Sequence, residues 1–504
     1  MDMETLLAYD WGIMAPEFTI VIIATLLSLL DLFLPHSFHR KWLSVFAGVG
    51  ILVAFVFTLS QLGQEADMIL YDTYRLDLFA TSFKLLLLIG AGLVLGLSAS
   101  YHRKREQGEF YYLLLTALLG AMMMASSADL ITLFVGLELL SISSYILAGI
   151  DKQSLKSNES AMKYVINGGM ATAITLFGFS YLYGLTGSTQ LTTISEILPS
   201  LIRTPAQGLL IMAFIMTFVG LAFKISTVPF HMWTPDVYEG APIPVTAFLS
   251  VVSKAAGFII LLRVFLTLFG TLEGLRLNET FMQSMALWIG VLAALTMILG
   301  NILALRQHNM KRLFAYSSVA HAGYLLVPVV ALSTLTLENI WFYLLVYMFM
   351  TVGGLAIIYV LYEKHGTLDL EMFSGLYKRS PALAILMTIF ILSLAGIPGT
   401  AGFIGKLNII LGALSTDPAP IVLVSIMIAA TVLSYVFYFG ILVQIYFRSN
   451  PFQVTIKVPI VMKTTLWICA IAIIGLGILP NLALDFYHHY VDLINVTEML
   501  WMRG

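Results

Sequence analysis

The chain has 504 residues, 59% of them hydrophobic and only 11% charged, with a net charge of −2 and a mean hydropathy of +0.93. A soluble domain carries about 25% charged residues, so this composition excludes a soluble globular protein, and the near-neutral charge excludes a nucleic-acid binder working by bulk electrostatics. The single cysteine, Cys469, cannot close an internal disulfide, and no Cys/His cluster has metal-site spacing, which leaves haem and iron–sulfur ligation without support.

A membrane span needs about 20 predominantly apolar residues. Fourteen such runs follow in chain order: 16–34, 42–61, 77–100, 109–128, 129–150, 160–184, 207–231, 240–265, 281–305, 311–333, 338–361, 381–415, 418–447 and 458–480. The expected fold is therefore an all-α polytopic membrane protein. The acidic start (MDMETLLAYDWG) lacks the positive region of a signal peptide, so the first run is expected to be a retained span. Only Ser126–Asp129 separates the fourth run from the fifth.

Loop charges orient these spans. With fourteen of them, one face collects Arg40, Lys41, Arg103–Lys104–Arg105, Lys152, Lys156, Lys163, Arg306, Lys311, Arg312, Lys364, Lys378, Arg379, Arg448, Lys457 and Lys463. The opposite face has Arg75, Arg203, Arg276 and Arg503, an asymmetry of 17 to 4 that one missed span would scramble. The basic face is expected to be cytoplasmic and both termini outside. The tail after Pro480 mixes aromatic and acidic residues and is expected to lie along the outer interface.

Five basic residues remain inside spans. Lys84 and Arg263 sit nearer span ends and read as anchors, whereas Lys224, Lys254 and Lys406 are stranded in apolar sequence. Glu138 is a lone carboxylate in LITLFVGLELLSISSYIL, with Ser141 and Tyr145 on its face. Intramembrane charges are costly and usually mark an ion or proton pathway; the bland alternative is a structural group hydrogen-bonded inside a bundle. Thr246, Ser250 and Lys254 recur every four residues and predict a polar stripe. His321, with Ser317 and Tyr324 on its face, reads equally as a proton carrier or a packed histidine. His231 reads as a cap, the Met122–Met123–Met124 run as packing, and Lys163 as a snorkelling anchor. Gly405–Lys406 lacks the spacing of a phosphate loop, so no nucleotide site is expected.

Two spans are interrupted by helix breakers beside a stranded lysine. Ser226-Thr227-Val228-Pro229 follows Lys224 in the seventh, and Gly396-Ile397-Pro398-Gly399 precedes Lys406 in the twelfth. Breaks at membrane depth are tolerated where they line protein or a wet cavity. The two spans are five apart and so run in opposite senses, which points to an inverted repeat of spans 4–8 and 9–13. The expected organisation is three N-terminal helices (1–108), a first repeat (109–270), a second repeat (281–447), and a final helix with its outer tail (458–504). Burial disfavours a charged lysine and a nearby carboxylate favours it, with a pair at about 4 Å worth roughly 4 kcal/mol at an effective dielectric of about 20. The expected route is therefore Glu138 modulating Lys224, Lys224 exchanging protons with Lys254 through water, and Lys406 gating the far exit.

At HMWTPDVYEGAPIPVTAFLSVVSKAAGF (231–258) the chain resembles the antiporter-like membrane subunits shared by respiratory complex I and multi-subunit cation/proton antiporters. Asp236-Val237-Tyr238-Glu239 makes it most similar to the subunit N branch of bacterial NADH-quinone oxidoreductases. GLELLSISSYIL, AMKYVINGG, LAGIPGTAGFIGK and RLFAYSSVAHAGY carry the same resemblance over essentially the whole chain. It implies fourteen helices with two inverted five-helix repeats, and a proton channel to which Glu138, Lys224, Lys254 and Lys406 belong. It also lifts Lys163 above an anchor. The chain is expected to lack the lateral helix of the largest antiporter-like subunit. By resemblance it binds no redox cofactor, with NADH or another donor and quinone handled by partner subunits. A sodium/proton antiporter subunit is the competing reading, and an inert scaffold leaves the buried charges unexplained.

Overall fold

The computed structural model describes residues 9–34, 41–99, 107–275, 279–449 and 456–491. The first eight residues, Arg40, Arg103–Lys104–Arg105, Arg276, Arg503 and the tail beyond Val491, which entered the sequence argument, lie outside the described residues.

Among those described, thirteen helices are long and apolar enough to cross a membrane. They are α1 (Ala15–Phe33), α2 (Lys41–Ser60), α3 (Leu78–Ser98), α4 (Gln107–Ser126), α5 (Leu130–Ala148), α6 (Leu155–Thr186), α7 (Gln207–Lys224), α9 (Ile243–Phe269), α10 (Phe281–Ala304), α11 (Met310–Ala331), α12 (Thr336–His365), α15 (Ile421–Phe447) and α16 (Ile460–Ile478). Shorter helices are α8 (Trp233–Gly240), α13 (Pro381–Ala395), α14 (Ala401–Leu414) and α17 (Asn481–Val491). The expected twelfth span is the broken pair α13 and α14. The break expected inside the seventh span falls at its end, because α7 is already 18 residues long when it stops at Lys224.

Local chemistry fixes the ends. Asp129 accepts from the Ile131 and Thr132 amides and so starts α5 with only three residues between it and the end of α4. Thr280 and Gln283 form a capping box on α10, and Asn309 accepts from the Lys311 and Arg312 amides to start α11. Gly187 and Gly366 end α6 and α12 in the left-handed region that glycine adopts freely.

Helices apolar on every side belong in a core. α9 and α12 are enclosed along their most apolar stretches, while α1, α2, α6, α10 and α16 turn apolar faces outward. Leu32, Phe33, Trp42 and Phe447 are more than half exposed, which is stable only where hydrocarbon replaces water. A two-stranded hairpin, β1 (Asp67–Ile69) and β2 (Tyr74–Leu76), closes the face opposite the basic loops and packs on Ile13. α9 is not uniform: residues Leu249–Ser253 form a π-helical segment just before Lys254.

Candidate functional site

The three stranded lysines are all buried. Each ammonium is tied to a polar group inside the bundle. Lys224 Nζ, in the last turn of α7, donates to Ser141 Oγ of α5 at 3.1 Å. Glu138 is half-buried one turn earlier on α5, and its Oε1 is enclosed without a hydrogen-bond partner among the described residues. Ile131, Val135, Ile142 and Ile146, spaced three, four, seven and eight residues from Glu138, are exposed. The carboxylate therefore sits on the edge of an outward apolar stripe.

After Lys224 the chain turns sharply. Ser226 takes φ +64°, a region that costs a non-glycine residue about 1 kcal/mol. The Val228 amide donates to Thr296 Oγ1 of α10 at 3.0 Å, and the Trp233 indole donates to the Phe223 carbonyl at 3.0 Å. The turn is thus pinned to both halves of the chain. Ser226 Oγ and Thr234 Oγ1 are buried with no partner among the described residues; such atoms are ordinarily satisfied by internal water.

The second break is built differently. Gly396 (φ +84°) and Gly399 (φ +89°) take conformations that side chains resist, and Ser393 Oγ accepts from the Gly402 amide at 3.1 Å. Lys406 Nζ reaches back to the Leu394 and Ala395 carbonyls, 3.0 Å from each, at the open C-terminal end of α13. A cation there satisfies carbonyls that have no helical partner and opposes the negative end of the helix dipole.

Between these breaks lies a set of groups that sequence reading largely missed. Lys254 Nζ donates to the Ser318 carbonyl at 2.5 Å and also contacts Ser318 Oγ. The neighbouring Ser317 Oγ lies 2.5 Å from Tyr438 OH. His321 Nδ1 is 2.6 Å from Tyr343 OH and its Nε2 is 3.2 Å from Tyr438 OH. The Tyr347 ring packs between Lys254 (5.9 Å) and His321 (5.2 Å), and the Tyr324 ring between His321 (5.4 Å) and Lys406 (5.0 Å). His321 is thereby the midpoint between two lysines. Tyr343, Tyr347 and Tyr438 come from α12 and α15, and only α11's own Ser317 and Tyr324 were legible beside it. The expected Thr246–Ser250–Lys254 stripe exists, but Thr246 and Ser250 donate to backbone carbonyls.

Lys163 is not on this axis. Its Nζ lies 2.6 Å from both Asp236 and Glu159, at the basic face, with the side chain 41% exposed. Arg312 NH1 joins Asp236 (2.8 Å) to Glu239 (3.0 Å), and Lys156 holds Glu239 at 2.8 Å. Burial pushes the Asp236 and Glu239 carboxyls up, but the hydrogen bonds and charges of these cations outweigh it and hold both below the usual carboxylate range.

The reading of Lys84 and Arg263 as anchors is overturned. Lys84 is fully buried, 2.7 Å from Glu17 of α1 and 2.8 Å from Tyr74 OH. Arg263 forks onto Asp77 at 2.6 and 3.0 Å and donates to the Ala125 carbonyl at 2.5 Å. Distance from a span end does not reveal a partner brought in from another helix. Burial raises the Asp77 carboxyl, and Arg263 followed by Arg75 brings it below its ordinary value. Among the described residues no group of three or more His, Cys, Asp or Glu side chains is placed to hold a metal ion.

A family model described as "NADH:quinone oxidoreductase/Mrp antiporter, TM" matches residues 127–434. NADH-quinone oxidoreductase subunit N of Geobacillus sp. (strain WCH70) is 55% identical over 96% of this chain and 100% of its own length. The protein of the same name from Bacillus anthracis is 52% identical over 98% of each chain. A chain of respiratory complex I from Thermus thermophilus superposes with a TM-score of 0.77 at 30% identity, covering 93% of this chain and 98% of that one. A chain of the Mrp complex from Dietzia sp. DQ12-45-1b shares the fold, with a TM-score of 0.82 at 18% identity over 98% and 100% of the two chains.

Proposed function

This chain belongs to the NADH:quinone oxidoreductase/Mrp antiporter membrane family as a subunit N of the complex I type, and from that premise we propose how it moves protons. The chain is an antiporter-like membrane subunit of a quinone-reducing translocase, and its part in the coupling is a line of buried exchangeable groups. Glu138 sets the charge preference of Lys224. Lys254 passes protons between the Lys224 side and the Ser318–Ser317–Tyr438 hydroxyls. His321, able to accept at one ring nitrogen and donate at the other, relays them to the Tyr324 side, where Lys406 controls release.

The observation that supports this reading is the placing of His321 between two buried lysines, with the Tyr347 ring between it and Lys254 and the Tyr324 ring between it and Lys406. A structural role alone needs no histidine between two buried lysines. In this reading the basic face is cytoplasmic, both termini lie outside in the cell membrane, and the two halves form inverted five-helix repeats. Partner subunits hold the redox cofactors, and this chain holds none. Lys163 serves the cytoplasmic mouth and not the central line. Because a carboxylate facing lipid is expensive, Glu138 is expected to be covered by a neighbouring subunit of the assembly.

The test is Glu138→Gln in the assembled complex reconstituted in vesicles. Proton transport should fall on the order of tenfold while the complex still assembles; transport at the native rate would remove Glu138 from the mechanism. A chain of the Mrp complex shares this fold, which keeps a sodium/proton antiporter subunit as the competing reading, but the relatives at 46–55% identity carry the oxidoreductase name.

A further inference from the structure

Sequence reading placed Lys311 in a basic loop, yet its side chain is buried. It lines a cavity of about 430 Å³ on the basic face, together with Asp151, Glu239, Ala241, Tyr362 and Asp369. Lys156, Glu363 and Asp369 are exposed at its mouth. The wall is firmly set, because Met310 and Leu370 exchange backbone hydrogen bonds with Leu368 and His308 across it, at 2.8 and 2.9 Å.

The inner end of the cavity meets α8, whose two faces have separate tasks. Asp236 and Glu239 point to the cations of the mouth. Tyr238 is buried and points the other way, its hydroxyl 3.4 Å from Ser318 Oγ, which contacts Lys254. Lys311 Nζ donates to the Ala241 carbonyl at 2.6 Å, just past the end of α8. Thr246 Oγ1 shares that carbonyl at 3.4 Å and donates to the Tyr238 carbonyl at 3.0 Å. The α8 segment therefore meets the cavity at Ala241 and Lys311 and the central lysine through the Tyr238 and Ser318 hydroxyls.

We propose that Lys311 is the inlet residue of this chain, taking protons from the cavity on the basic face and passing them by water and the Tyr238 and Ser318 hydroxyls to Lys254. The proposal rests on the proton-transfer reading above and adds the residue through which the line is filled. No bond other than those to the moving proton changes: Lys311 yields one proton inward and regains one from water in the cavity. It also gives Asp236-Val237-Tyr238-Glu239 a single sense, with the carboxylates organising the mouth and the tyrosine completing the path.

A lysine that donates to a helix-terminal carbonyl can be a cap and nothing more, so the experiment must separate the two roles. Arginine preserves the charge and the donor but does not give up its proton. Lys311→Arg, Tyr238→Phe and Lys254→Met are each made in the assembled complex, and quinone reduction and proton transport are measured in the same vesicles. The inlet requires transport to fall about tenfold in Lys311→Arg and severalfold in Tyr238→Phe, as removal of a proton carrier does. If both transport normally while Lys254→Met does not, Lys311 is a cap and the inlet is wrong. If Lys254→Met also transports normally, the failure lies with the underlying proton line. Should Lys311→Arg not assemble, Tyr238→Phe decides the inlet by the same two outcomes.

Discussion

The two helix breaks use the same residue type in opposite ways. At the first, Lys224 ends α7 ahead of the turn and rests on one serine hydroxyl, with the ionisable Glu138 one turn from that serine on α5. At the second, Lys406 follows the turn and spans two peptide carbonyls of α13. A carboxylate can change its charge and a peptide carbonyl cannot. Under the proposed route the first break would be adjustable from outside the chain, through a neighbour covering Glu138, whereas the second is held by fixed dipoles and would answer to protons relayed by His321.

The severest challenge to this contrast is removal of each lysine. Lys406→Met leaves two buried carbonyls without a donor, at about 1–3 kcal/mol apiece, so both transport and thermal stability should drop. Lys224→Met frees only a hydroxyl, so transport should be lost with a much smaller fall in Tm. Equal losses of stability, read by thermal unfolding of the assembled complex, would erase the distinction.

A finer probe is Tyr438→Phe, which removes one hydroxyl shared by Ser317 and His321. Transport should fall severalfold, with assembly intact, because the ring still fills its space. Unchanged transport would show that His321 works through Tyr343 alone.

The smallest effect concerns the mouth of the first half. Asp236 and Glu239 are held below ordinary carboxylate values when folded, so their contribution is complete above the unfolded range of about 4 and is lost as pH falls through the lower folded values. The protection of amides in residues 231–241, taken relative to the intrinsic exchange rate at each pH, should be high at neutral pH and fall on acidification at the basic face. Asp236→Asn should weaken that dependence, and protection indifferent to pH would detach these carboxylates from the stability of α8.

Much of the architecture was readable because apolar runs, turn residues and loop charges obey one-dimensional rules. Glu138, Lys224, Lys254 and Lys406 stood out because charge is rare at that depth. The tyrosines around His321 did not, since α12 is apolar on every side and such a helix has no sequence phase to show which residues face α11. Glu17 and Asp77 were missed for a related reason: each sits beside the membrane boundary, where a carboxylate is unremarked until its partner arrives from another helix. Lys311 was misread because counting loop charges says nothing of which side chains fold inward.

The π-helical residues Leu249–Ser253 set the azimuth of Lys254. An α-helix turns about 100° per residue, and an i→i+5 segment absorbs one residue beyond that winding. Rewinding that segment as ordinary α-helix with no residue removed turns the amine about 100° away from Ser318, with every charge and apolar group of the downstream helix retained. The capacity of this helix to connect its neighbours thus resides as much in how one surplus peptide unit is wound as in the lysine itself.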